Sequence, residues 1–323
     1  MDRVLPKCSG LMVNPYYVRQ KYSKMFDLGQ TLRFRGTVFC DSGGFQLSTK
    51  SLLSRKNPVK RYTQDQVLLD QIGLGSDYAA ALDFPLDPNA SERANMARIS
   101  KSLANVERAV NLVQTLKTKA TIVPVVHGYN RGMMRFVFQR LERLEKELSY
   151  AFPLIAVGSL VPLYADRSNL GSLRLVHAFQ ALLEFVPNHR AIHVMGAGSP
   201  LSMRFYYWLG AQSLDTRSWV TNAMFGKIVM PGSQGGRIHT SKLIAKFGPK
   251  ANICNCPSCK NSNLRNLSMS RMKRAAHNAF TYLREFKKIR RELRAGTFEE
   301  NTVRLLKKRV FFRRIIKVGS LSK

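Results

Sequence analysis

Thr37-Val38-Phe39-Cys40-Asp41-Ser42-Gly43-Gly44-Phe45-Gln46 passes from a short apolar run directly into a carboxylate, two glycines and an aromatic ring. The apolar run reads as a buried strand, and the residues after it as a strand end where the main chain can come close to a ligand. Phe45 offers a stacking face, and Asp41 a carboxylate able to give or take a proton beside a flat ring. A plain glycine turn would account for these ten residues equally well, so the decision rests on the rest of the chain.

The same grammar recurs outward from that stretch. Residues 11–14, 37–41, 78–83, 121–127, 154–160, 191–196 and 213–215 are short apolar runs, each ending in Gly, Pro or a polar residue and followed by a helical pattern. The clearest helix has Ser91 as its cap and Ile99, Leu103, Val106, Val110 and Val113 on one face, and another spans 134–148. Repeated strand-then-helix units predict an α/β fold, a (β/α)8 TIM barrel rather than a doubly wound sheet, because polar residues cluster just after so many different strands. An eighth strand is expected near 226–230.

Charge sets the partner class. The 323 residues carry 52 Lys+Arg against 20 Asp+Glu, a net +32, which favours a polyanion through counterion release, nucleic acid first. No apolar stretch reaches the roughly 18 residues of a membrane span, and Met1-Asp2-Arg3-Val4-Leu5-Pro6 has no secretory pattern. Beyond residue 235 the texture changes to a cysteine cluster and two basic helical stretches, 270–294 and 299–317. Residues 260–323 hold 19 Lys+Arg and 4 Glu. Within them Phe311-Phe312-Arg313-Arg314 mixes rings with cations, as a nucleic-acid or a packing surface would.

Three of the five cysteines lie in Cys254-Asn255-Cys256-Pro257-Ser258-Cys259. That spacing is too tight for a disulfide framework and suits a metal in a reducing compartment. A fourth ligand from His277, or less directly His239, would complete a closed Cys3His tetrahedron around structural Zn2+. Cys8 and Cys40 read as small apolar residues. The domains expected are a catalytic barrel over 1–235, a zinc-binding subdomain over 236–295 and a basic helical extension over 296–323. Aspartates at strand ends form a second constellation: Asp41, Asp83 and Asp215. In a barrel those ends converge, and gathered carboxylates suit acid, base and nucleophile roles. Gly158-Ser159-Leu160 and Met195-Gly196-Ala197-Gly198 supply backbone-rich turns.

Taken in order, Asp-Ser-Gly-Gly-Phe-Gln, Ala-Val-Gly-Ser-Leu, Met-Gly-Ala-Gly, the late Asp215 and C-x-C-x-x-C with a downstream His-Asn resemble the tRNA-guanine transglycosylase family over roughly residues 10–290. The resemblance implies a zinc-bearing barrel enzyme, a pentosyltransferase that exchanges guanine for a 7-deazaguanine such as preQ0 without cutting the chain. It assigns Asp215 as nucleophile at C1′ of the ribose and Asp41 as general acid/base. Asp83 would bond the purine N–H edge, Phe45 would stack on it beside Ser42 and Gly43, and Gly158, Ser159 and Leu160 would approach with main-chain groups. Met195 and Gly196 would line the pocket, and His127 would stand at its edge. Arg217, Lys287, Lys288, Arg290, Arg291, Arg313 and Arg314 would grip the polynucleotide.

The chain departs from the pattern of bacterial members in two places: the strand that ends in Gln-Gly-Gly there reads Val126-His127-Gly128-Tyr129 here, and Ser159 replaces a glycine of their Gly-Gly-Leu. The compact form, the charge and Ser213-Leu214-Asp215-Thr216-Arg217-Ser218-Trp219 resemble the DNA-modifying branch. DNA is therefore the expected substrate, in a bacterial or phage-infected cytoplasm, with tRNA as the alternative and a homodimer among the allowed assemblies. A catalytically silent binding subunit is disfavoured by the joint presence of Asp41 and Asp215. A glycosidase acting on neutral sugars is disfavoured by the charge.

Overall fold

The parallel strands expected from the apolar runs are present, in chain order, in a computed structural model that describes residues 8–22, 24–48, 62–165, 169–232 and 236–318. These residues form two compact units, one built on Ser9–Met195 with Ala211–Ser213, the other on Gly196–Gly210 with Leu214–Arg313.

In the first unit β1 (Gly10–Val13), β2 (Thr37–Cys40), β3 (Tyr78–Ala80) and β4 (Thr121–Val123) pair in parallel in that order. β5 (Val125–Val126), β6 (Leu154–Val157) and β7 (Ala191–Val194) pair in parallel in a second sheet. The run expected over 121–127 is thus two strands, and the reason is Pro124, which has no N–H for the ladder. The chain nonetheless stays in register on both sides: Ala81 N–H donates to Val123 O at 3.1 Å, and Ala156 N–H to Pro124 O at 2.9 Å. Beyond β7, Gln212 N–H donates to Ile192 O at 2.9 Å. Phe39, Ala80, Val123, Val125 and Ala156 form one buried cluster with Tyr78, Leu154 and Met195 against it, so β2 to β6 all contribute to the same interior.

Helices cover these strands for reasons visible in the chain. Ser91 accepts the N–H of Ala94 at 3.2 Å and starts Glu92–Leu116, which buries Ile99, Leu103, Val106, Val110 and Val113 as expected. Asn130 caps Arg131–Leu148 through the N–H of Met133 at 2.8 Å. Polar side chains on the buried faces hold the strand ends. Gln71 donates to Ala80 O at 2.8 Å and Asp41 O at 3.1 Å. Asn105 donates to Leu82 O at 2.7 Å while Gln64 accepts from Leu82 N–H at 2.6 Å.

In the second unit, after the two-residue β8 (Ser213–Leu214), the expected eighth barrel strand appears as β9 (Lys227–Val229), paired antiparallel with β10 (Arg237–His239). It is therefore half of a hairpin rather than a member of the parallel order, because its partner follows it within a few residues of Pro231 and Gly232. The helix Arg271–Arg294 lies on β9: Asn278 accepts Val229 N–H at 2.8 Å and donates to Trp219 O at 2.9 Å. Buried Arg204 pairs with Glu292 at 2.5 Å, an ion pair that leaves no uncompensated charge inside. The stretch expected as one helix over 299–317 is two, Phe298–Leu306 and Val310–Val318. Phe312 is buried and packs on Phe205 with ring centres 5.1 Å apart, so that aromatic pair serves packing. Among the described residues no helix is long and apolar enough to cross a membrane.

Candidate active site and metal centre

The ends of β2, β3, β5 and β6 carry the first unit's share of the expected site. Asp41 is held from three sides: its N–H donates to Val13 O at 2.8 Å, Oδ1 accepts Ser42 N–H at 2.8 Å, and Oδ2 accepts the Asn14 side-chain amide at 2.7 Å. Asn14 also donates to Gln46 at 3.0 Å. It was legible only as a polar residue closing β1, and its amide holds Oδ2 of Asp41. Cys40 beside it is fully buried, and burial pushes its thiol up to about 12. Cys8 is half-buried.

Ser42, Asp83 and His127 are buried together. Ser42 donates to Oδ1 of Asp83, and its own oxygen accepts Gly44 N–H at 2.9 Å. His127 Nε2 lies 2.9 Å from Oδ2 of the same carboxylate. Gly43 sits at φ +79°, and a Cβ on Gly44 would come 2.2 Å from Asp83 O, so both glycines of the opening stretch are required by backbone shape and close approach. Phe45 is 59% exposed. Gly158 N–H donates to Val126 O at 3.1 Å, and Met195 N–H to Val157 O at 3.1 Å. Leu160 is buried and begins the short helix Leu160–Ala165.

In the second unit Gly196 and Ala197 grip the late aspartate. Gly196 N–H donates to Asp215 Oδ1 at 2.8 Å, and Ala197 N–H to Asp215 O at 2.8 Å. Gly196 and Gly198 adopt φ +70° and +75°, which is why glycine stands at both places. Arg217, next in the loop, is exposed. On Arg271–Arg294, Arg284, Lys287, Arg290, Arg291 and Arg294 line a concavity of about 450 Å³. Lys288 is exposed on the same helix, and Arg313 is exposed further on. Cations at a helix C-terminus also meet the negative end of its dipole. Arg314 lies outside the residues whose side chains are described.

Cys254, Cys256, Cys259 and His277 bring their ligand atoms within 4.8 Å of one another. His277 Nδ1 faces the three sulfurs at 3.4, 3.7 and 3.2 Å, and Nε2 lies 3.0 Å from Val229 O. An Nε2–H donated to that carbonyl fixes the ring and leaves Nδ1 as the ligand. Three soft sulfurs and one imidazole fit tetrahedral Zn2+ in a closed, structural site. The choice left open by the sequence falls to His277, since His239 instead caps the helix Thr240–Phe247, with Nδ1 2.7 Å from Ser241 Oγ.

The sequence profile of the family described as Queuine tRNA-ribosyltransferase matches residues 7–310. The chain belongs to that family. Among similar members, the tRNA-guanine(15) transglycosylase of Methanothermobacter thermautotrophicus is 25% identical over 272 residues, covering 83% of this chain and 37% of the relative. That of Methanosarcina mazei is 24% identical over 276 residues, 84% and 51% of the two chains. That of Methanopyrus kandleri is 24% identical over 304 residues, 90% and 60%. The chain thus spans between about a third and three-fifths of the length of these family members. All three are named for tRNA, and the expectation of DNA draws no support from them.

Proposed function

We propose that this chain is a guanine transglycosylase, a pentosyltransferase that exchanges a guanine base of tRNA for a 7-deazaguanine. The observation that carries the reading is that Asp41 and Asp215, the two carboxylates the family resemblance singles out, are each oriented at a strand end by main-chain or amide donors, in a family member whose relatives are named for this reaction. The proposed architecture is the closed (β/α)8 barrel, with zinc stapling the C-terminal region.

In the proposed mechanism Asp215 attacks C1′ as the C1′–N9 bond breaks, and Asp41 supplies the proton that the departing guanine takes up with the bonding pair. The incoming base gives its proton back to Asp41, and its N9 displaces Asp215. Two displacements at one carbon retain configuration, as in retaining glycosidases. Asp83 accepts from the purine N–H edge and Phe45 stacks on the ring. The target base must leave its stack, so neighbouring phosphates need a cationic grip.

DNA stands as a second reading because the stretch around Asp215, Ser213 to Trp219, resembles the DNA-modifying branch. Incubation with labelled guanine and either tRNA or duplex DNA separates the two. Label in tRNA alone supports the first reading and label in DNA alone the second, while label in neither polymer sinks the transglycosylase assignment.

The cationic helix makes a separate prediction. Replacing Lys287, Lys288, Arg290 and Arg291 together by Gln is expected to weaken polynucleotide binding and flatten its salt dependence, by roughly 0.7–0.9 in log–log slope for each phosphate no longer neutralised. Filter binding across a salt series measures this, and an unchanged slope removes the helix from the interface.

A further inference from the structure

His127 and Ser159, 32 positions apart in the chain, are hydrogen-bonded to each other. Ser159 Oγ lies 2.8 Å from His127 Nδ1 and accepts Leu86 N–H at 2.8 Å. The Tyr129 phenol donates to Leu86 O at 3.1 Å. On the far side of the ring, Nε2 meets Asp83 Oδ2 at 2.9 Å. His127 Nε2 has no well-aligned hydrogen-bond partner, so its tie to Asp83 is close approach rather than a straight hydrogen bond, while Nδ1 is engaged by the Ser159 hydroxyl. A carboxylate accepts only, so a proton on Nε2 is the tautomer that this approach favours.

The surroundings lock this arrangement. His127 is 1% exposed and Asp83 6%. A Cβ on Gly158 would lie 2.5 Å from His127 Cε1, so the imidazole rests directly on that glycine. Ser159 holds φ +61°, in the left-handed region that disfavours a side chain. A glycine would sit there without strain, and the hydroxyl is what the serine adds.

We propose that His127 is a positioning residue: oriented by Ser159, it holds the Asp83 carboxyl group in place as an acceptor rather than reading the base itself. A carboxylate has about four acceptor directions; among the described residues Ser42 takes one and His127 Nε2 crowds a second. The remainder match the adjacent ring N–H and exocyclic N–H of a guanine-type edge and mismatch the acceptor that adenine presents there. The inference rests on the transglycosylase reading for its ligand, but its geometry belongs to this chain alone.

Ser159→Gly tests it. Relief of the left-handed strain keeps the melting temperature at or above the parent value, whereas loss of the hydroxyl frees the His127 ring. The Kd for guanine is expected to rise about tenfold, as for a missing hydrogen bond to a charged group, and the preference for guanine over hypoxanthine, which lacks the exocyclic amine, to shrink. A merely structural role would not move that ratio. Equilibrium dialysis with the two free bases reads it without turnover, and unchanged affinity and preference overturn the proposal. Nitrogen NMR of the histidine rings gives a readout independent of ligand: an Nε2–H tautomer for His127 in the parent is expected, and an Nδ1–H neutral tautomer overturns the relay. A parent that shows the Nε2–H tautomer and binds guanine but exchanges no label refutes the transglycosylase reading and leaves the relay standing.

Discussion

An Asp215→Asn protein is expected to bind polynucleotide with the parent's affinity and salt dependence, yet to form no denaturant-stable adduct and to exchange guanine slower by about four orders of magnitude or more. The two halves of this expectation have separate causes. Asparagine is isosteric with aspartate and keeps an acceptor oxygen at Oδ1, so the N–H of Gly196, 2.8 Å away, retains its partner and the turn keeps its shape. The carboxamide, however, is a far weaker nucleophile toward an oxocarbenium-like carbon and cannot balance its charge. Trapping with labelled polynucleotide followed by denaturing electrophoresis reads the adduct, and a labelled-base assay reads exchange. Undiminished exchange would remove Asp215 from the chemistry, and loss of binding as well would show that the substitution had disturbed the fold.

Zinc removal is expected to have the largest effect on stability. The ligands do not decorate the surface: Cys256 and Cys259 are buried in one cluster with Ile228, Leu243, Leu264, Leu267 and Phe280. Without a cation, three sulfurs and an imidazole converge with only one another for company, and the cluster loses what holds it closed. Structural zinc contributes about 10–16 kcal/mol of apparent binding free energy in small zinc modules, against a net stability of about 5–15 kcal/mol for an ordinary domain. Chelation, or His277→Ala, is therefore expected to unfold the region around β9 and Arg271–Arg294 locally or entirely. Because the ligands must be deprotonated, zinc retention should fall as pH falls. Metal analysis paired with hydrogen exchange over 227–294 measures both, and unchanged protection in metal-free protein would make the site dispensable.

Much of this was legible because its causes are local. A buried strand followed by an amphipathic helix is written in the spacing of apolar residues, so β1 to β3, β6, β7 and the Ser91-capped helix emerge where expected, while the run over 121–127 is split at Pro124. Three metal ligands lie within six consecutive residues, close enough for spacing alone to imply a shared ion. The glycines at 43, 196 and 198 announce backbone shapes that other residues reach only with strain.

The remainder depends on pairings between residues distant in the chain. Asn14 and Asp41 are 27 positions apart, and His127 and Ser159 are 32 apart; no periodicity records such a pairing. Gln64, Gln71 and Asn105 look like ordinary polar interruptions of helices until the strand-end peptide groups they satisfy are seen. The strand at 227–229 has the composition of a barrel strand, yet it pairs with its near neighbour β10. Sequence alone thus determined the element types, the soft donor set and the candidate carboxylates, since backbone propensity and ligand chemistry act over a few residues. Tertiary structure decided which histidine faces the cysteines, what holds Asp41, and which groups crowd Asp83 and His127, because a buried polar group takes whichever partner the fold brings within hydrogen-bonding distance.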